Sequence, residues 1–266
     1  MWSLFKRKNT DFFAQENRKT RNFYFASVGI TFIGSFILFV LLAWSFAHGL
    51  SYMWQDVELY GTQMRTVYIY NNTMAIFLLS LGSFFFIFYI IMNIINNLVR
   101  FKNNFGVSVI FLSSNILFLS WVAGFLLAFA HEEYNLSSIS IILAFLIPSA
   151  IMGLTYFLVA FNLIDLNKMW YLFLILFTIN IAFLLVMIFG FGLSESTNII
   201  YTVISMIMIS ISTLFSWYYT IADANLLMGE SKLDVFKIAF KNGIILFNNY
   251  ASLAVLVLRL MLGSKK

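Results

Sequence analysis

The residues of this sequence that could do chemistry are polar and charged side chains set into long apolar runs. Asp223 is the clearest case, because it is a carboxylate inside such a run. Ser205, Ser212, Ser216 and Tyr219 precede it at helical spacing, so one face of this sixth apolar segment is polar. An ionisable group within a membrane span is by default a functional hypothesis, often for an ion or proton pathway. Asp223 is therefore the first candidate for ion binding or pH sensing.

A second polar stripe follows the last apolar segment. On a helix, Lys241, Asn249, Ser252 and Arg259 fall within about a quarter turn of one another, and Asn248 stands beside them. Amide and guanidinium groups are costly to place against lipid, so this helix is expected at the centre of a bundle. A purely structural role is also open, since such amides hydrogen-bond neighbouring helices for about 1 kcal/mol each.

A third polar group closes the second apolar segment, where Asn97 and Arg100 follow two further asparagines. This segment is expected to end on the same side of the membrane as Asp223, which makes Arg100 a candidate counter-ion. A lone ionised carboxylate within a membrane is costly. We therefore expect Asp223 to pair with Arg100 or with the amide of Asn249.

Other kinds of site have little support in the sequence. His131, Glu132 and Glu133 are adjacent, but no HExxH pattern follows and the other histidine, His48, is remote, so neither a metal nor a cofactor is expected. No Gly-x-Ser-x-Gly elbow or glycine-rich phosphate loop is present, which argues against an enzyme. The absence of cysteine excludes thiolate sites. Basic residues are not interleaved with the aromatic ones, so nucleic-acid binding is not expected.

The composition calls for a membrane environment. With 62% hydrophobic and 10% charged residues, the chain would be insoluble as an ordinary water-facing domain. Seven apolar runs can each cross a hydrocarbon core of about 30 Å. We predict an all-α polytopic membrane bundle, with a basic cytoplasmic tail at 1–23 and a single seven-span domain at 24–263. The predicted spans are 24–48, 73–97, 105–130, 138–162, 169–192, 199–227 and 236–262.

The end of the chain, LFNNYASLAVLVLRLMLG, resembles the closing signature of the Bax inhibitor family, the proteins with the transmembrane Bax inhibitor motif. In that family a Leu-Tyr-x-Asp stretch precedes an ending similar to Leu-Leu-Arg-x-x-Gly. The resemblance extends back to about Val109. It includes the spacing of Phe145 and Asp165 around a fourth span, and the run TIADANLL, which stands where the family has its sixth-span Tyr-Asp-Thr-like motif.

This resemblance implies a central seventh helix inside a ring of six. For bacterial members it further implies a pH-sensitive calcium leak governed by two aspartates, one in each of the last two helices. The first matches Asp223. The second position, ten residues before Arg259, is Asn249, so this sequence lacks the second carboxylate. Two carboxylates in contact share a proton, which lets such a pair sense pH, whereas an aspartate beside an asparagine lacks the second titration.

The sequence therefore predicts a multi-pass protein of a bacterial cell membrane, and the resemblance implies that it acts as a calcium or other cation leak, or in ion homeostasis. The bacterial origin follows from the Phe-, Ile-, Asn- and Lys-rich usage, which is typical of an AT-rich gene. The expected partners are the lipid bilayer and the cation. The alternative is a non-conducting protein of the same fold that binds partners or lipids, and Asn249 favours it. A transporter built on inverted repeats has no support from similarity between the halves.

The distribution of basic residues predicts the orientation. Twelve of the 16 Lys and Arg residues fall on the side of the amino-terminal tail, which places that end in the cytoplasm and, with seven spans, the carboxyl end outside. Single cysteines introduced beside Trp2 and after Lys266 should accordingly react with a membrane-impermeant reagent only at the carboxyl end. Protection of both ends would instead indicate a re-entrant last segment.

Overall fold

The computed structural model describes residues 18–51, 54–59, 63–68, 73–97, 104–132, 137–188, 195–227 and 230–263. These residues form seven long helices and one hairpin. The helices are α1 Arg18–Ser51, α2 Thr73–Asn97, α3 Phe105–Glu132, α4 Ser138–Ala160, α5 Leu166–Ile188, α6 Glu195–Leu226 and α7 Lys232–Gly263. The strands are β1 Trp54–Leu59 and β2 Gln63–Tyr68. Each of the seven helices is long and apolar enough to cross a membrane, which confirms the predicted polytopic helical bundle.

The helices extend beyond several of the predicted spans. Helix α1 begins at Arg18 rather than at residue 24, so the last residues assigned to the tail are helical, while residues 1–17 lie outside the described residues. Helix α7 begins at Lys232, four residues before the predicted start, and continues for 32 residues. At about 1.5 Å per residue it is roughly 48 Å long, which exceeds a core of about 30 Å. The length of an apolar run corresponds to the thickness of the hydrocarbon core, and the helix can continue beyond it. The continuity of α7 favours a single crossing over a re-entrant segment.

A two-stranded antiparallel hairpin joins α1 to α2, and the sequence analysis did not anticipate it. Its register pairs Trp54 with Tyr68 and Leu59 with Gln63. The two strands are rich in Trp, Val, Thr and Tyr, and Gly61 stands between them, which is the usual composition of a hairpin. These residues carry too little apolar sequence to span a membrane, so the pattern of apolar runs gives no sign of them.

Helix α7 lies at the centre of the bundle, as predicted. It packs against α1, α3, α4 and α6, and it is the most buried of the seven helices. Helix α2 packs mainly on α3, and α5 packs on α6 and is the least buried. Aromatic contacts fix α1 against α7: Phe39 meets Phe247 with ring centroids 5.9 Å apart, and Phe36 meets Tyr250 at 5.2 Å, both edge to face.

Small residues allow the closest helix contacts. A Cβ atom added at Gly124 of α3 would lie 2.6 Å from Phe46 Cβ and 2.7 Å from the carbonyl oxygen of Ala43, both on α1. A Cβ atom added at Gly243 of α7 would lie 2.8 Å from Thr31 Cβ, also on α1. Lipid tails are as apolar as leucine, so helices in a membrane associate largely through such close packing. These two glycines therefore set the distances of α1 from α3 and from α7.

Leucine at either contact glycine should destabilise the bundle. We expect Gly124→Leu and Gly243→Leu to lower the free energy of unfolding in detergent by at least about 1–3 kcal/mol, the usual cost of overpacking. The matched control is Gly34→Leu, because no atom lies within 4 Å of a Cβ at Gly34 on the same helix α1. Thermal unfolding of the purified variants measures the effect. Equal stability of the three variants would show that α1 does not approach its neighbours this closely.

Candidate functional site

A chain of polar side chains crosses the bundle between α6 and α7, and we name it the α6–α7 polar seam. Its members on α6 are Asn198, Ser216 and Asp223, and its members on α7 are Asn242, Asn249 and Arg259. Three hydrogen-bonded pairs join the two helices: Asp223 with Asn242, Ser216 with Asn249, and Asn198 with Arg259. From the first pair to the second, the position on α7 advances by seven residues, or about two turns, while the position on α6 goes back by seven residues. The helices are therefore antiparallel and in register.

The first pair sits where three helices meet. The amide nitrogen of Asn242 donates to Asp223 Oδ2 at 2.8 Å and to the hydroxyl oxygen of Tyr24 on α1 at 2.6 Å. A side-chain amide carries two N–H bonds, so it can make both contacts at once. Tyr24 and Asn242 are buried and Asp223 is half-buried. Asn242 thus connects the carboxylate of α6 to the first turns of α1.

Two electrical influences act on Asp223. The carboxylate lies in the last turn of α6, where the negative end of the helix dipole disfavours an anion. The ammonium group of Lys241 interacts with it electrostatically and opposes that effect. Helix α7 therefore supplies both the hydrogen-bond donor and a positive charge to this carboxylate.

The expected pairing of Asp223 with Asn249 is wrong. The partner on α7 is Asn242, two turns earlier, and Asn249 instead donates to Ser216 Oγ at 2.9 Å. The other expected partner, Arg100, lies outside the described residues. Asn97 ends helix α2, and its side chain also lies outside them. The pattern of α7 alone does not single out Asn242, although the shared spacing of seven residues on α6 and α7 is a signal for the pair.

The second pair occupies the middle of the seam. Ser216 accepts from Asn249 and donates to the carbonyl oxygen of Ser212 one turn earlier on α6, at 2.9 Å. The neighbouring residue Asn248 has a different environment. Its side-chain oxygen is buried and has no hydrogen-bond donor among the described residues. Asn248 is therefore not part of the seam.

The third pair lies at the opposite end of α7. The guanidinium group of Arg259 donates to Asn198 Oδ1 and stacks 5.3 Å from the centre of the Tyr201 ring. The rise of a helix places Arg259 about 25 Å from Asn242 along α7. Asp223 and Arg259, both candidates from the sequence, therefore stand near opposite ends of one seam and do not form one site. Ser205 on α6, between the second and third pairs, is tied to α5 by Asn180 at 2.6 Å.

The seam offers a row of oxygen atoms with one carboxylate at its end. No group of three or more His, Cys, Asp or Glu side chains that could hold a metal occurs within the described ranges. Hard cations such as Ca²⁺ prefer six to eight oxygen ligands, and a tight site requires several of them to be charged. A single carboxylate with amide and hydroxyl neighbours is suited to transient contact with a cation or a proton. Tight metal storage does not fit this arrangement.

Comparison with protein-family models, with curated proteins and with solved structures finds no match to this chain. The resemblance to the Bax inhibitor family thus stays a prediction from the residues quoted above. The structure itself establishes a seven-helix bundle of membrane-spanning character with a polar seam between its last two helices.

Proposed function

We propose that this chain is a multi-pass membrane protein that lets cations leak slowly across the membrane along the α6–α7 polar seam. The observation that carries the proposal is the half-buried carboxylate of Asp223, which accepts a hydrogen bond from the neutral amide of Asn242 where three helices meet and which also interacts with the ammonium group of Lys241. A cation that approaches this carboxylate competes with the amide N–H of Asn242 and with the positive charge of Lys241, so its contact with Asp223 is transient. Asp223 then acts as the attracting residue at one mouth of the path.

The remaining seam residues support a path of low conductance. Ser216 and Asn249 supply polar atoms about 10 Å further along, at the spacing of seven residues on a helix. Arg259 stands near the far end, and a fixed positive charge is a barrier to cations. Because the seam residues hydrogen-bond one another, passage requires α6 and α7 to separate. A rarely open path with an electrostatic barrier gives a leak and not a fast channel.

The second candidate is a non-conducting protein of the same fold that acts by binding lipids or partner proteins. The specific observation that favours it is the closed middle pair, in which Asn249 donates to Ser216. A neutral pair that satisfies itself holds two helices together without attracting an ion. Calcium is the cation implied by the family resemblance. Measuring calcium flux therefore distinguishes the cation leak from the non-conducting protein.

Two asparagine-to-aspartate variants test the proposal, one as the test and the other as its matched control. Asn242→Asp places a second carboxylate in contact with Asp223, whose Oδ2 is 2.8 Å from the amide nitrogen of Asn242. Two carboxylates in contact share a proton, so calcium flux through this variant should acquire a pH dependence between about pH 6 and 8. Asn249→Asp is the matched control, because it adds the same charge about 10 Å away along α7. Its flux should follow that of the wild type.

The measurement is calcium flux into liposomes that contain the purified protein, over a series of pH values. We expect Asp223→Asn to lower the calcium flux at least about tenfold, which corresponds to a rise of about 1.4 kcal/mol in the barrier. Combined with Asn242→Asp in one protein, it should remove the pH dependence that Asn242→Asp introduces. A steep pH dependence in Asn249→Asp but not in Asn242→Asp would refute the assigned partner. Wild-type flux no greater than that of protein-free liposomes would favour the non-conducting protein.

A further inference from the structure

A crevice opens between α1 and α4, and α6 and α7 form its floor. We name it the α1–α4 crevice. Its volume is about 480 Å³, which is within the range of about 300–1,000 Å³ that is usual for sites of small ligands. Residues from all four helices line it, among them Gly29, Phe32, Gly153, Tyr156, Trp217 and Leu246. Gly153 and Tyr156 are exposed on the surface of α4, so the crevice opens sideways from the bundle.

The lining of this crevice offers little to a polar ligand. The hydroxyl group of Tyr250 donates to the carbonyl oxygen of Phe145 at 3.0 Å, and Ser149 Oγ donates to the same oxygen at 3.1 Å. These two hydroxyl groups are therefore already bonded within the bundle. The indole nitrogen of Trp217 is buried and has no hydrogen-bond partner among the described residues. A water molecule needs two to four polar partners, so an apolar occupant suits this space better than water does.

The position of the crevice identifies the apolar molecule available to it. Trp217 is nine residues before the end of α6, or about 14 Å along the helix. The crevice thus opens within the hydrocarbon depth of the membrane half that contains Asp223, where lipid acyl chains are the surrounding solvent.

A basic residue stands above the crevice on the same face of α1. Arg18 precedes Phe25 by seven residues, and Phe25 precedes Phe32 by seven, so the three lie in one row along the helix. Arg18 is exposed and is about 10 Å along the axis from Phe25. This is the level at which a lipid with its chain in the crevice presents its phosphate. Clusters of basic residues at this level attract anionic lipids.

We propose that the α1–α4 crevice binds one acyl chain of an anionic phospholipid, whose phosphate pairs with Arg18. This inference does not depend on cation conduction along the α6–α7 polar seam. The crevice would bind one class of lipid from one leaflet, whereas the rest of the apolar surface contacts lipids of any class.

Photolabelling with lipids tests the acyl-chain site. The full-length protein is reconstituted in liposomes that contain phosphatidylglycerol with a photoreactive diazirine in its acyl chain, and the labelled peptides are mapped by mass spectrometry. Labelling should appear on the residues of α1 and α4 that line the crevice. Gly29→Leu and Gly153→Leu should reduce it several-fold, because no atom lies within 4 Å of a Cβ at either position and the new side chain enters the crevice. Gly34→Leu is the control, since Gly34 is equally uncrowded but does not line the crevice.

The headgroup is tested with a second lipid and a second pair of variants. Phosphatidylcholine with the same diazirine chain should label the crevice several-fold less than phosphatidylglycerol does. Arg18→Gln should abolish that difference. Lys19→Gln removes the same charge from a position a quarter turn away and should preserve it. Equal labelling of the crevice by the two lipids, or equal labelling in Gly29→Leu, Gly153→Leu and Gly34→Leu, would overturn the proposal.

Discussion

The need to satisfy polar groups where water is absent governs this structure. Each polar side chain between α6 and α7 must find a partner there, because an unpaired polar group in hydrocarbon costs several kcal/mol. Asn242 and Asn249 find Asp223 and Ser216 at matching intervals of two turns. A slip of α7 by one residue would break both pairs together. The hydrogen bonds therefore determine the register of the two helices, which apolar packing alone leaves loosely defined.

The remaining helices are positioned by shape. Gly243 lets α1 approach α7, and Gly124 lets α3 approach α1. Gly243 follows Asn242 directly, so its close contact with α1 keeps Tyr24 within reach of the Asn242 amide. The α1–α4 crevice begins beside this contact, at Phe25 of α1, and continues past Val28 of α1 and Leu246 of α7. The two features share the same helices, and a molecule that moves α1 in the crevice also moves Tyr24.

Much of the fold was predictable from the sequence. Apolar runs reveal the spans because each run must match the thickness of the membrane, and the predicted bounds of α2 agree with the structure. The extensions of α1 and α7 were missed because charged residues continue a helix beyond the hydrocarbon. The hairpin was missed because its two short strands have no comparable length requirement. Asp223 was found because a carboxylate inside an apolar run stands out.

The partners within the site were not predictable from one helix at a time. Periodicity places Asn249 and Arg259 on one face of α7, but it does not determine which residue of α6 each one meets. That depends on the length of the turn between the helices and on their packing. The glycines illustrate the same limit: Gly34 and Gly243 look alike in the sequence, yet the first has open space around it and the second touches Thr31.

The hydrogen bonds also bear on how the chain enters the membrane. On α1, Ser27 and Thr31 donate to carbonyl oxygens four residues earlier on the same helix, so their hydroxyl groups are satisfied before any neighbour arrives. Among the described residues, the side chains of Asn242 and Asn249 have no such local partner, and their bonds go to Asp223 and Ser216 on the preceding helix. Helix α1 is thus suited to enter the bilayer alone. Helices α6 and α7 are better suited to insertion as a preformed pair, which then closes onto a first helix more than 200 residues away in the chain.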